Sequence, residues 1–338
     1  MKKLYVLLVV VILLSGCGCV QNGTNLSLSV LPPAASIPTV SVIIGTTAPA
    51  TEPTVPTTVP KLDYSTVTYF PVTENNGRTY TGLPALPLLQ YQIIDPENLR
   101  QLSVTRVDHA FGAASEAKPH SITVDNQKRF EQWGTGALAW DNLSQEKVLY
   151  LTFDCGYEYQ NRTSEILDVL KEKKVPATFF VTMSYLRSAP NIVVRMINEG
   201  YHVGNHSQTH PEDSAALTRQ QMALEALAVE NHLRHNFGYT SQYFRFPAGV
   251  YSENAVELLA TLGYRSVFWS IAYADWDPEQ SIGKGQALET LIHRLHPGAV
   301  ILLHTTSPDN INLLADFIDY AVSQGYRFED LDEYPGWK

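Results

Sequence analysis

From residue 148 onward, short apolar runs alternate with longer amphipathic stretches. Val148 to Phe153 is unbroken and rich in β-branched and aromatic residues, the pattern of a strand buried on both faces. Ser164–Lys174 follows as a helix with Ile166, Leu167, Val169 and Leu170 turned inward. The alternation continues with a strand at Ala177–Val181, a helix at Asn191–Glu199 and a strand at Tyr201–Val203. A long helix at Thr218–His235 precedes a strand at Tyr243–Phe246, a helix at Ser252–Leu262 and a strand at Ser266–Trp269. The last units are a helix at Gln286–Leu295, a strand at Ala299–Leu303, a helix at Ile311–Ser323 and a strand at Tyr326–Phe328. Gly200, Gly263 and Gly325 stand where three of the helices must stop. Strands alternating with helices imply an α/β fold with a mostly parallel sheet, and about seven units favour a closed or nearly closed barrel.

Before residue 147 the pattern is different. Lys2 and Lys3 precede the apolar run Leu4–Leu14, which is short for a membrane span and reads as an export signal over residues 1–20. Leu14-Ser15-Gly16-Cys17 resembles the bacterial lipobox, whose cysteine is acylated after cleavage. The chain is therefore expected to be an extracytoplasmic, membrane-anchored lipoprotein facing the cell wall, and a monomer. Residues 21–62 are rich in Thr, Pro, Ser and Val, cannot bury a core, and read as an extended spacer. Residues 63–146 hold Tyr64, Tyr69, Phe70, Tyr80 and Tyr91, which suggest ordered packing, so they are read as an extension lying on the main domain. Within it, Ser121–Val124 suggests a strand and Asn126–Gln132 a short helix, while His109 and His120 lack a ligand partner at helical spacing. The main domain is placed at 147–334.

With 338 residues, 44% of them hydrophobic, the chain is long enough for one large domain plus extensions. A net charge of −10 argues against nucleic acid as a partner but leaves polysaccharides open. The three cysteines, Cys17, Cys19 and Cys155, leave only one in the globular part, so no disulfide framework exists there.

Chemistry in such folds collects where parallel strands end. The first strand ends in Asp154-Cys155-Gly156, which places a carboxylate beside apolar walls. His206-Ser207-Gln208-Thr209-His210 follows the Tyr201–Val203 strand and a Gly204-Asn205 turn, and two imidazoles four apart can meet one cation in a tight turn. His232 and His235 sit on the long helix and are expected at its surface. Arg245 ends the next strand, needs a carboxylate if buried, and has Asp154 as candidate. Asp275-Trp276 lies beyond another strand, and alternation puts Leu302 and His304 on one face of a sixth.

Thr152-Phe153-Asp154, His206-Ser207-x-x-His210, Arg245-x-Pro247-x-Gly249, Asp275-Trp276 and Leu302-x-His304 together resemble the NodB-like polysaccharide deacetylases of carbohydrate esterase family 4. Within them the chain is most similar to the sporulation-type peptidoglycan deacetylases that act on N-acetylmuramic acid. The resemblance covers about residues 147–334 and implies a distorted (β/α) barrel that removes N-acetyl groups. It implies Asp154 as general base and Arg245 as the group that orients it. His304 would be the general acid and Asp275 its partner, with Trp276 and Leu302 walling the acetyl pocket. It further implies a divalent metal, zinc in first place, on His206 and His210.

One position departs from the family. Cys155 stands where most relatives carry a metal-binding aspartate, so it either completes a Cys-His-His site as a thiolate or stands aside. Gly156-Tyr157-Glu158 fits the muramic-type subgroup, whose members also tend to depart from aspartate here. Two enzyme alternatives are a chitin or N-acetylglucosamine deacetylase and an O-acetyl, xylan-type esterase. An alternative of another class is a catalytically silent wall-binding lipoprotein, against which the intact Asp154, Arg245, Asp275 and His304 speak.

Overall fold

The computed structural model describes residues 79–109 and 113–337. The export signal, Cys17, Cys19, the 21–62 spacer and Tyr64, Tyr69 and Phe70 lie outside the described residues.

The fold is built around β2 (Val148–Cys155), buried along its whole length. It pairs in parallel with β3 (Thr178–Val181) on one side and β8 (Ala299–His304) on the other, and β9 (Arg327–Phe328) joins its start. Beyond β3 come β4 (His202–Asn205), β5 (Tyr243–Phe244) and β7 (Arg265–Ser266), giving the order β7-β5-β4-β3-β2-β8. The run beyond β7 curls back, and Ile271 bridges in parallel to Ile301 of β8. Residues ahead of β2 fill the remaining gap: Leu138 bridges to Val267, and Trp140 to Ala299. The result is the distorted (β/α) barrel that the family resemblance implied.

Strand alternation sorts β2 into two faces. Leu149, Leu151, Phe153 and Cys155 pack outward against α2 (Arg162–Lys173), α8 (Pro308–Ser323) and their neighbours. Val148 and Tyr150 pack inward with Leu138, Phe180, Tyr243 and Leu302. Helices α3 (Met183–Ser188), α4 (Pro190–Asn198), α5 (Arg219–Phe237), α6 (Glu253–Thr261) and α7 (Lys284–Arg294) complete the outer layer. α5 begins at a capping box formed by Thr218 and Gln221.

The described residues ahead of β2 pack on the barrel. The Tyr80 and Leu86 amides donate to the carbonyls of Asn236 and Arg234 near the end of α5. β1 (Val107–Asp108) pairs antiparallel with β6 (Val250–Tyr251). The expected strand at Ser121–Val124 does not form: residues Ser121–Trp133 make one helix, α1. His120 caps its first turn through Nδ1, and Gly134 ends it at φ 63°. The β-branched Ile122-Thr123-Val124 run misled because caps and packing outweigh intrinsic propensity. The expected Gly204-Asn205 turn is also replaced, since both residues belong to β4 and pair with Phe180 and Val181. His232 is half-buried instead of exposed, and burial pushes its pKa down to about 4.

Candidate active site

The inward face of β2 ends in Asp154, only 6% exposed. Its Oδ1 accepts from Arg245 Nη1 at 2.9 Å. Arg245, just past β5, is fully buried, and each of its three side-chain nitrogens donates. Nε reaches the Val267 carbonyl at 3.0 Å, and Nη2 reaches Thr152 Oγ1 at 2.9 Å and the Phe268 carbonyl at 3.1 Å. The guanidinium also lies over the Phe180 ring, 4.1 Å from its centroid. Burial opposes ionisation of Asp154, but the charges of His206, Arg245 and His304 overcome it and hold the carboxyl below the usual range. Of these, Arg245 is the permanent charge, because burial pushes His206 down to about 4 and leaves it neutral near pH 7.

His206 follows β4 directly and is 3% exposed. Its Nδ1 lies 2.9 Å from the Arg245 carbonyl. A carbonyl only accepts, so Nδ1 carries the proton and Nε2 keeps its lone pair. That lone pair faces Asp154 Oδ2 at 3.4 Å. Two acceptors placed face to face at the floor of a buried site suit a cation, and a second-ring-nitrogen bond to a carbonyl is how metal-ligating histidines are oriented. His210 joins them through a tight turn: Ser207 and His210 both have positive φ, at 70° and 56°. The Ser207 hydroxyl accepts from the His210 amide at 3.0 Å. The His206 and His210 ring centroids are 4.9 Å apart, and His210 is exposed. These donors fit a divalent metal.

Cys155 is not brought into that group. Alternation turns its side chain to the helix layer, where it is fully buried and accepts a contact from Thr305 Oγ1 at 3.6 Å. Burial pushes the thiol well above its ordinary pKa, so it remains protonated. Of the two alternatives for Cys155, this placement favours the residue that stands aside over the thiolate ligand, because strand alternation sends Asp154 and Cys155 to opposite faces. Among the described residues, the only trio of potential ligands whose donor atoms all lie within 4.8 Å of one another is His202, Asp330 and Asp332. It sits at the start of β4, the opposite end from His206.

His304 ends β8 across the site from His206, with its side chain 23% exposed. Asp275, with a fully buried side chain, grips it twice: Oδ1 meets Nδ1 at 2.7 Å and Oδ2 accepts the His304 amide at 2.8 Å. Burial disfavours the imidazolium, but the Asp275 charge and hydrogen bond outweigh it and raise the pKa. Leu302, on the same face of β8, is 4% exposed, and Trp276 is 55% exposed with its ring 6.3 Å from that of His304. Leu302 is thus an inner wall and Trp276 a rim.

Sequence reasoning missed Asn310. Its Nδ2 donates to Asp275 Oδ2 at 2.6 Å and to the His304 carbonyl at 2.9 Å, while Tyr273 holds its Oδ1. It lies in the first turn of α8, and no spacing in the chain points to it. Glu158 has a structural part, accepting from the Tyr185 hydroxyl at 2.7 Å.

The profile of the Polysaccharide deacetylase family matches residues 141–267. The chain is 41% identical over 191 residues to the peptidoglycan N-acetylmuramic acid deacetylase PdaA of Bacillus subtilis, covering 56% of this chain and 72% of that protein. It is 34% identical over 203 residues to a chitooligosaccharide deacetylase of Sinorhizobium fredii, covering 59% of this chain and 88% of the relative. The solved structure of the Bacillus subtilis PdaA, described as a family 4 carbohydrate esterase, superposes with a TM-score of 0.63 at 35% identity, over 69% of this chain and 98% of that one.

Proposed function

The chain belongs to the polysaccharide deacetylase family, and from that premise we propose that it hydrolyses N-acetyl groups of cell-wall peptidoglycan, on the N-acetylmuramic acid residues. The observation that carries this is a buried carboxylate locked ionised by Arg245 at 2.9 Å, facing a neutral His206 and flanked across the cleft by a His304 locked to Asp275. An amide is a poor electrophile with a poor leaving group. Its hydrolysis needs a base for water, stabilisation of the oxyanion and an acid for the departing amine.

Asp154 is the base: it is ionised at neutral pH, and Arg245 fixes the oxygen it does not present to water. His304 is the acid: Nδ1 is engaged by Asp275, so Nε2 is left to give its proton to the amine. Asp275 keeps the ring oriented and protonated. Leu302 and Trp276 enclose the acetyl methyl. His206 and His210 would hold a divalent metal, which supplies Lewis-acid polarisation of water and carbonyl. Imidazole donors suit zinc, although the thiolate argument for that ion falls with Cys155.

The N-terminal signal, Cys17 and the Thr/Pro-rich spacer support a lipid-anchored enzyme at the outer membrane face with reach into the wall. A Cys17→Ser protein should leave the membrane fraction or remain unprocessed.

The test is acetate release from purified peptidoglycan with and without peptide stems, followed by mass spectrometry of the muropeptides. Loss of acetyl from muramic acid is expected. Loss from glucosamine alone would reassign the substrate, and no release by metal-loaded protein would sink the enzyme reading.

A further inference from the structure

The extension ahead of the barrel places one histidine, His109, against the back of this site. His109 is 1% exposed and lies outside the stretch that the family profile matches. Its Nε2 is 2.6 Å from the Trp269 carbonyl, and its Nδ1 is 2.8 Å from Asn126 Nδ2. The carbonyl only accepts, so Nε2 carries the proton, and Nδ1 must accept from the Asn126 amide. Asn126 Oδ1 in turn accepts from the Tyr251 hydroxyl at 2.7 Å and from Arg129. Every proton in the chain is thereby assigned, and His109 is held in one neutral tautomer with both nitrogens used.

The carbonyl it holds is the third of a consecutive run. Val267 and Phe268 give theirs to Arg245, and Trp269 gives its own to His109. The His109 ring packs on the Phe268 and Trp269 rings, at 5.0 Å in each case. Its backbone is pinned as well, because the His109 amide donates to the Gly249 carbonyl at 2.9 Å beside the β1–β6 pair. Gly249, at φ +67°, admits this approach: a Cβ there would sit 3.0 Å from the His109 carbonyl and 2.8 Å from the Trp269 ring. The segment carrying Arg245 and the segment receiving its hydrogen bonds are thus both clamped by one residue from outside the barrel's repeating units.

We propose that His109 is a positioning residue for the deacetylation step: by donating to the Trp269 carbonyl it fixes the backbone run that aims Arg245 at Asp154. This rests on Asp154 and Arg245 acting as described under the proposed function. A histidine with a purely packing part would support the aromatic cluster around Phe268 without affecting the guanidinium.

Three variants of the full chain separate these. His109→Phe keeps the ring and removes the donor. His109→Gln places an amide nitrogen at the distance of Nε2 and keeps it. Val256→Ala thins the apolar cluster that holds Phe268 without removing a hydrogen bond to residues 267–269. With metal-loaded protein and stem-free peptidoglycan, well below each variant's Tm, His109→Phe should lower kcat about tenfold to a hundredfold with KM unchanged. His109→Gln should restore most of it, and Val256→Ala should keep the wild-type kcat at a comparable loss of Tm. In parallel, the Arg245 Nε–H resonance should be sharp and slow to exchange in wild type and His109→Gln, and broadened in His109→Phe. Should His109→Phe not fold, His109→Asn, whose amide is too short to reach the carbonyl, takes its place beside His109→Gln. Wild-type kcat and an unchanged Arg245 resonance in a folded donor-less variant would overturn the inference. A wild-type protein without deacetylase activity would fell the proposed function instead, and the resonance would still decide whether His109 orders Arg245.

Discussion

At the scale of single residues, the site depends on two carboxylates, Asp154 gripped by Arg245 and Asp275 gripping His304. Asp154→Asn keeps the shape and the Arg245 contact but removes the base, so kcat should fall by about 10² to 10⁴ while the circular dichroism spectrum stays native. Asp275→Asn removes the group that raises the His304 pKa. The acid form of His304 is then lost at lower pH, so the basic limb of the kcat/KM profile should move down in pH. A limb that stays in place would mean that another group donates the proton. Cys155 should be silent: Cys155→Ala is expected to keep metal affinity and kcat, losing about 1–2 kcal/mol of stability through a small cavity, read by urea titration. The sequence made Asp154, Arg245 and His304 legible because each ends a strand next to a motif partner. It left Cys155 open between ligand and bystander, because the family motif and the two-residue period of β2 point to opposite faces.

At the scale of elements, close approaches decide what the chain tolerates. Gly204 is central to β4, and a Cβ there would fall 2.5 Å from the Phe180 ring. That ring lies beneath the Arg245 guanidinium. Gly204→Ala should cost about 1–3 kcal/mol by overpacking and also lower kcat, because Phe180 must move against Arg245. Unchanged kinetics in a destabilised variant would show that the ring shifts the other way. Long elements such as α5 and α8 were readable from apolar period, and α8 also from its glycine stop, since their packing faces repeat many times. Short ones were not: α3, β1 and β6 hold two to six residues each, too few for a period to emerge. They are fixed by tertiary partners, as β1 is by β6 and α3 by the Thr182 cap.

At the scale of the whole molecule, the C-terminal segment closes the end of the barrel opposite the site. Leu331 and Tyr334 enter the inner core, and Trp337 Nε1 donates to the Gly136 carbonyl at 2.7 Å. His202 holds this segment through Asp330 and Asp332, at 2.8 and 3.4 Å. Burial would depress the His202 pKa, but these hydrogen bonds and charges win and raise it to about 9. A folded pKa above the unfolded value of about 6.5 stabilises the protein fully below that pH. The gain, at most about 3 kcal/mol by linkage, fades as pH rises through 9. Tm should therefore decline between these limits in wild type, and His202→Gln should flatten that slope. A decline of equal steepness in the variant would assign it elsewhere.

The stitch that closes the barrel also has a consequence in time. Leu138 and Trp140 pair with Val267 and Ala299, and the Trp140 indole donates to Pro297, 157 residues further along. Because the chain is delivered N-terminus first, those partners arrive only after the stitch itself. Leu138 and Ala139, fully buried at the end, have no strand to join in that interval. Contacts of such long sequence separation slow folding more than helices do. The part of this fold made early should therefore be completed late, with closure of the ring slower than formation of any helix.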